Sequence, residues 1–83
     1  MSRKCKQPET EFGKWMQKKM EECDITFDEM AEIMRDTRSN IVNHYHQRSY
    51  VPFPFVLMYC EMFDSLDELD DVWSMLENQK RRA

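Results

Sequence analysis

A single glycine, Gly13, among 83 residues is the feature that most restricts the folds open to this chain. Strand-and-turn architectures place glycine at tight turns, and a phosphate-binding loop needs several glycines close together. We therefore expect an all-α fold. At this length the chain forms one domain, and such a domain buries only roughly 60 % of its unfolded surface, so dimerisation would be a useful stabiliser.

The apolar residues are too dispersed for a membrane segment. No apolar run approaches the roughly 20 residues of a membrane-spanning helix, and no signal-peptide hydrophobic region follows residues 1–6. We expect a soluble, cytoplasmic protein with no membrane partner.

Three cysteines, an odd number with no C-x-x-C pair among them, occur at Cys5, Cys23 and Cys60. This pattern argues against a disulfide framework and against a structural zinc site, because neither His44 nor His46 stands at a ligand spacing from a cysteine. Acidic pairs such as Asp70-Asp71 have no histidine, nucleophile or glycine loop to act with. We expect no metal, no cofactor and no enzymatic activity.

The formal net charge is −4, but the distribution of charge matters more than its sum. Residues 1–20 hold six Lys and Arg against two acids, and residues 35–50 hold three against one. Residues 21–34 and 51–79 carry only acidic charges, and Lys80-Arg81-Arg82 is basic again. This pattern allows one positive face for nucleic acid, and it equally allows a protein that mimics or avoids DNA.

Helical spacing and capping residues predict the first two helices. Thr10 can cap a helix whose apolar stripe consists of Phe12, Trp15, Met16, Met20 and Cys23. Thr26 and Glu29 fit a capping box, in which the threonine hydroxyl accepts from the Glu29 amide and the carboxylate folds back. The box opens a short helix with the apolar set Met30, Ala31, Ile33 and Met34.

Three further helices are predicted after a link of about three residues. Asp36 or Thr37 caps a third helix from about residue 38 to residue 47, with Ile41, His44 and Tyr45 on one side. Prolines then end the helical pattern, and Pro54 suits the first turn of a fourth helix that extends to about residue 63. A second capping box at residues 65–68 opens a fifth helix, residues 65–78, with the apolar residues Leu66, Leu69, Val72, Trp73 and Leu76.

Four short motifs follow one another along the chain: Thr26-Phe27-Asp28-Glu29-Met30-Ala31, Thr37-Arg38-Ser39-Asn40-Ile41, Pro52 before the fourth helix, and Phe63-Asp64-Ser65-Leu66-Asp67-Glu68-Leu69. Through them, residues 12–69 resemble the λ-repressor/Cro (XRE-type) family of helix-turn-helix DNA-binding domains. The resemblance implies a compact five-helix λ-repressor-like domain over residues 10–78, with its helix-turn-helix at about residues 26–47. Residues 1–9 would form a basic N-terminal arm, and residues 79–83 a basic tail.

Four residues differ from the family pattern. Arg35-Asp36 replaces a glycine and an apolar residue in the turn, and Phe27 replaces a polar side chain that often contacts phosphate. His44 replaces an apolar residue, and we expect it to be a hydrogen-bonded packing residue.

The resemblance implies DNA contacts along the third helix. Arg38, Ser39 and Asn43 match the positions that read base edges, while Thr37 and Asn40 match positions that contact the DNA backbone. Arginine can bind a guanine edge with two hydrogen bonds, asparagine an adenine edge, and serine either. Further contacts with phosphate are expected from Arg35, Arg48, Arg3, Lys4 and Lys6.

The family also implies dimerisation on a palindromic operator, with half-sites about 34 Å apart. A dimer seam is expected from the 3-4 spacing in the fifth helix, at Leu69, Val72, Trp73 and Leu76. The same face could instead pack on the domain's own core. Likewise, the aromatic residues Tyr50, Phe53 and Phe55 could complete the core or contact a partner.

We therefore expect a sequence-specific regulator that binds double-stranded DNA as a homodimer, a repressor of phage, mobile-element or bacterial origin. The alternative is a helix-turn-helix fold used as a protein-interaction module, such as an antirepressor, an inhibitor or an antitoxin with a protein partner. The negative net charge, Asp36 in the turn and Phe27 support that alternative.

Overall fold

The structure, a computed structural model, describes the backbone of residues 8–82 and the side chains of residues 8–77. These residues form five α-helices and no strand: α1 (Glu11–Cys23), α2 (Phe27–Met34), α3 (Arg38–Tyr45), α4 (Phe53–Met62) and α5 (Leu69–Arg82). A 3-10 turn, Leu66–Glu68, precedes α5. The all-α, five-helix prediction is confirmed. None of the helices in the described residues is both long and apolar enough to cross a bilayer.

Threonine caps begin the first three helices. The Thr10 hydroxyl accepts from the Gly13 amide at 3.0 Å. Thr26 and Glu29 form the predicted capping box, with Thr26 Oγ1 accepting at 3.2 Å and Glu29 Oε1 accepting from the Thr26 amide at 2.9 Å. Thr37 caps α3. Each such cap stabilises its helix by about 1 kcal/mol, so these helix starts are encoded locally.

Every helix contributes to one core. Its largest fully buried side chains are Phe12 and Met16 of α1, Met30 of α2, Ile41 of α3, Val56, Tyr59 and Cys60 of α4, and Val72 of α5. Cys23, at the end of the predicted apolar stripe of α1, is exposed instead.

The buried face of α2 contains Met30, Ala31 and Met34 as predicted, but Phe27 takes the place of Ile33. The buried side chains of this helix are Phe27, Met30, Ala31 and Met34, at spacings of i, i+3, i+4 and i+7. Ile33 is 59 % exposed, so its place in the apolar set was wrong. Phe27, which stands where a phosphate-contacting residue was expected, packs edge-on against Tyr45 with ring centroids 4.9 Å apart. An apolar stripe of limited width faces the core, and Ile33 lies outside it.

The predicted capping box at residues 65–68 does not form. The Ser65 hydroxyl donates to a backbone carbonyl and makes no cap hydrogen bond, and Leu66 is 51 % exposed. The Glu68 carboxylate accepts instead from Trp15 Nε1 at 3.1 Å and from Lys19 Nζ at 2.6 Å. These partners on α1 lower the pKa of Glu68, so a tertiary contact takes the place of the local cap.

Two of the four residues expected at a dimer interface on α5 are buried within the monomer. Val72 is fully buried and Leu76 nearly so in the chain's own core, which corrects their assignment to an interface between copies. Leu69 and Trp73 are half-buried at the edge of that core. Trp73 packs against the exposed ring of Phe53, with centroids 5.2 Å apart. α5 extends to Arg82, beyond its predicted end at residue 78.

Gly13 lies where α1 closely approaches two other segments. A Cβ at this position would be 2.5 Å from the backbone oxygen of Tyr45 and 2.6 Å from Cβ of the buried Pro8. Both distances are too short for real atoms. Gly13 is therefore needed for close packing of α1 against these segments, and it does not form a turn.

Candidate nucleic-acid interface

Three residues, Arg35, Asp36 and Thr37, join α2 to α3, as predicted. Arg35 ends α2 in the left-handed conformation, with φ 57° and ψ 45°. The Asp36 amide then donates to the carbonyl of Ala31 at 2.8 Å. The turn therefore keeps a left-handed residue without glycine, at a cost of roughly 1–2 kcal/mol for a residue with a Cβ.

The two sides of α3 differ sharply in exposure. Ile41, His44 and Tyr45 are buried against the rest of the domain. Arg38 and Ser39 are exposed, and Asn43 is half-buried. The three residues predicted to read bases therefore lie outside the buried face of α3.

A buried hydrogen bond connects α3 to α4. His44 Nδ1 lies 2.8 Å from the Tyr59 hydroxyl, and the His44 ring packs edge-on against Phe55, with centroids 4.9 Å apart. Burial lowers the pKa of His44, an effect that the negative charge of Asp36 opposes, and burial raises the pKa of Tyr59. The prediction of a hydrogen-bonded packing role for His44 is confirmed. Phe55 is half-buried and packs on the core, whereas Tyr50 is exposed.

We expect the protein to lose stability as the pH falls below about 6.5, the ordinary pKa of histidine. The unfolded chain then binds a proton that buried His44 does not, so stability falls with pH until the lowered pKa of the folded state is reached. One such proton changes the free energy of unfolding by at most about 1.4 kcal/mol per pH unit. Urea unfolding measured between pH 7 and pH 5 checks this.

The matched variants separate this histidine from other titrating groups. His44→Leu combined with Tyr59→Phe removes both hydrogen-bonding partners together and should flatten the profile between pH 6.5 and 5. Met58→Leu, at an exposed side chain of α4 that carries no titrating group, should keep the wild-type slope. An unchanged slope in the double variant would show that another group causes the loss.

Arg38 contacts two residues of the first turn of α2. Its Nε lies 3.5 Å from Oδ1 of Asp28, and its guanidinium carbon lies 5.7 Å from the centroid of the Phe27 ring. The Arg38 side chain is 53 % exposed and that of Asp28 81 %. An ion pair this exposed contributes only about 0.2–1 kcal/mol, so a competing ligand can displace it.

Asp36 holds the beginning of α3. Its carboxylate accepts from the Thr37 amide and from Asn40 Nδ2, both at 2.7 Å. Thr37 Oγ1 accepts from the Asn40 amide at 3.1 Å. The amide side chain of Asn40, predicted to contact the DNA backbone, is therefore engaged within the protein, and the carboxylate occupies the end of the helix that attracts anions.

The remaining predicted contacts flank α3. Arg35 precedes the helix and Arg48 follows it, and both are exposed. The Arg48 amide donates to the carbonyl of Asn43 at 2.8 Å, which places its backbone against the last turn of α3. Arg3, Lys4 and Lys6 lie outside the described residues.

The contact between Asp28 and Arg38 was not predicted from the sequence. The two residues are ten positions apart and meet only because α2 and α3 cross. Their opposite charges were the only available signal, and a charge has many possible partners in a chain with 16 acidic residues.

Comparisons with protein families, with characterised proteins and with solved structures found no match to this chain.

Proposed function

We propose that this protein is a sequence-specific, DNA-binding transcriptional regulator, in which α2 and α3 act as a helix-turn-helix and α3 is the recognition helix. The observation that carries the proposal is that α3 buries Ile41, His44 and Tyr45 in the core and leaves Arg38 and Ser39 exposed and Asn43 half-buried. The three-residue link to α2 is the second support, because such a pair of helices can place one helix in a major groove.

The dimensions and the chemistry of α3 suit this role. An α-helix with its side chains is about 10–12 Å across, and the major groove is about 12 Å wide. Arg38 and Asn43 carry side chains that form paired hydrogen bonds with guanine and adenine, each worth about 1–3 kcal/mol of discrimination. Arg35 and Arg48, at the two ends of α3, would contact phosphates.

Asp28 would act as an intramolecular competitor for Arg38. In the free protein its carboxylate pairs with the guanidinium group, and on DNA a base edge would take its place. Guanine is favoured in this exchange because it offers two acceptors to the guanidinium group, whereas the pair with Asp28 offers one contact. Asp28 also brings negative charge close to the proposed DNA surface.

We further propose that the protein binds a palindromic site as a dimer and acts there as a repressor. Apolar side chains available beside α5 include the exposed Phe53 and Leu66 and the half-buried Leu69 and Trp73. The symmetry of the bound sequence reports on this directly, because a two-fold dimer selects an inverted repeat.

Selection of duplexes from a random library, followed by binding titrations, tests the proposal. We expect an enriched inverted repeat, and Arg38→Ala or Asn43→Ala should lose about tenfold or more of the preference for it. Asp28→Asn should raise the affinity by about 1.4-fold to fivefold, as expected for loss of an exposed ion pair.

Glu32→Gln provides the matched control for Asp28→Asn, since it removes one exposed acid from α2 and leaves the pair between Asp28 and Arg38 in place. An equal gain in both variants would attribute the effect to net charge alone. Failure to enrich any motif would contradict the regulator function.

A protein-interaction module is the second candidate, and the exposure of Ile33 supports it. This side chain stands on α2 among the acidic residues Asp28, Glu29 and Glu32, a combination that suits a basic, partly apolar protein partner better than phosphate. A protein that enriches no duplex but binds a partner through Ile33 would establish this function instead.

A further inference from the structure

A shallow groove of about 290 Å³ lies between the end of α1, the beginning of α2 and the end of α3. Its lining combines the apolar side chains of Met20, Ile25, Phe27 and Tyr45 with the half-buried Gln17, and the exposed Glu21 and Asp24 lie at its rim. Within the part of the chain that the structure describes, neither rim carboxylate pairs with a cation. The groove therefore offers apolar surface beside two available negative charges, a combination suited to a basic side chain with a long apolar stem.

Pro8, the first described residue, lies against α1 where that helix meets Tyr45. Pro8 precedes the Thr10 cap, yet its ring lies beside Gly13, one turn further along α1. The segment before α1 thus doubles back along the helix, and it reaches Tyr45, which contributes both to this crossing and to the groove. From Gly13 to Asp24 the helix rises about 16 Å. Seven extended residues span about 23–25 Å, enough to cover that distance from Pro8.

The distribution of charge along the chain also favours binding of the N-terminal residues at this groove. All 16 acidic residues of the chain lie within residues 8–77, whereas half of its 12 basic residues lie outside that range. Three of them, Arg3, Lys4 and Lys6, immediately precede Pro8. A short tether gives such a segment an effective concentration on the order of millimolar at a nearby acidic surface.

We propose that residues 1–7 bind in the groove, with the stems of their basic side chains on the apolar floor and their charges against Glu21 and Asp24. The occupant is this segment of the same chain. When bound, it holds Arg3, Lys4 and Lys6 on the protein surface, so that these residues do not contact phosphate. That consequence, an internal brake on DNA binding, rests on the proposed function, whereas occupation of the groove does not.

A nitroxide label on Cys5 tests occupation without DNA. In the full chain carrying Cys23→Ser, Cys5 is the reactive thiol, because Cys60 is fully buried. At low salt the label should strongly broaden the methyl signals of Met20 and Ile25 and leave that of Leu57 on α4 sharp. The broadening should disappear in Glu21→Gln/Asp24→Asn, and its absence in the parent protein would overturn the proposal.

The chain contains a closely matched control pair. Glu61 and Asp64 repeat the geometry of Glu21 and Asp24: in each pair the aspartate follows a helix at positive φ, and its amide donates to the carbonyl of the glutamate. Glu61→Gln/Asp64→Asn should leave the broadening intact, and equal loss in both double variants would overturn the groove as the site. Mixing labelled chains with isotope-labelled, nitroxide-free chains identifies a second copy as occupant, because broadening would then appear between chains.

The brake is measured separately, by DNA affinity at low salt. Glu21→Gln/Asp24→Asn should bind the selected duplex about twofold to tenfold more tightly than Glu61→Gln/Asp64→Asn, which carries the same net charge. Equal affinities combined with clear broadening would refute the brake and leave occupation of the groove standing. Failure of both proteins to bind any duplex would refute the proposed function alone.

Discussion

Raising the monovalent salt concentration from about 50 to about 200 mM is expected to weaken binding to the selected duplex by roughly 10³-fold or more. The proposed phosphate contacts in the DNA complex are Arg35, Arg48 and, once DNA has displaced the arm from the groove, Arg3, Lys4 and Lys6; a dimer would supply each of them twice. Every phosphate neutralised releases counterions and adds about −0.9 to the slope of log affinity against log salt. Fluorescence anisotropy of a labelled duplex, titrated at several salt concentrations, gives this slope.

Two single substitutions show which cations produce the dependence. Arg48→Ala should make the slope shallower by about 0.9 for each phosphate that the protein no longer neutralises. Lys18→Ala removes the same charge from an exposed position on α1 outside the proposed interface, and its slope should match the parent protein. A parent slope close to zero would contradict a phosphate-binding surface, and identical slopes in the two variants would remove Arg48 from it.

Replacing Met30 by alanine is expected to lower the free energy of unfolding by about 2–5 kcal/mol. Met30 is fully buried in the core at the centre of α2, and truncation leaves a cavity there. For a domain of this size, whose total stability is on the order of 4–12 kcal/mol, that is a large fraction. The melting temperature, followed by circular dichroism, should fall by about 4–8 °C for each kcal/mol lost.

Ile33→Ala is the matched control, since it shortens an apolar side chain of similar size three residues further along the same helix. Ile33 is 59 % exposed, so the change should stay within about 0.5 kcal/mol of the parent stability. Equal losses in both variants would mean that α2 is rotated about its axis so that Ile33 is buried as well. The exposed residues assigned to α2 and α3 would then be wrong.

Local chemistry was enough to predict where the first three helices begin. Thr10, Thr26 and Thr37 each accept a hydrogen bond from an amide three residues further on. Both partners of such a cap are close in sequence, so its geometry depends little on the rest of the chain. Helical periodicity likewise placed Phe12 and Met16 in the core, because residues at these spacings share one side of a helix whatever it packs against.

Local rules failed where a distant group competed for the same side chain. Glu68 looked like part of a cap, but in the folded chain it accepts hydrogen bonds from Trp15 and Lys19, more than forty residues away. The buried side of α2 was a different failure. Phe27, Met30, Ala31 and Met34 stand at i, i+3, i+4 and i+7, so periodicity favours Phe27 over Ile33, but the family resemblance had placed Phe27 at a phosphate-contacting position. The contact between Arg38 and Asp28 depends on how α2 and α3 cross, which no local rule predicts.

The sequence by itself thus determined an all-helical chain with five helices, a three-residue link between the second and third, and a polar side on the third. These properties follow from neighbours within about four residues, the range of helical capping and periodicity. Only the tertiary structure decided that Arg38 pairs with Asp28, that Val72 and Leu76 of α5 pack into the core, and that Glu21 and Asp24 line a groove with Phe27 and Tyr45. Each of these features depends on how the helices pack against one another, and the spacing of residues along the chain does not specify that packing.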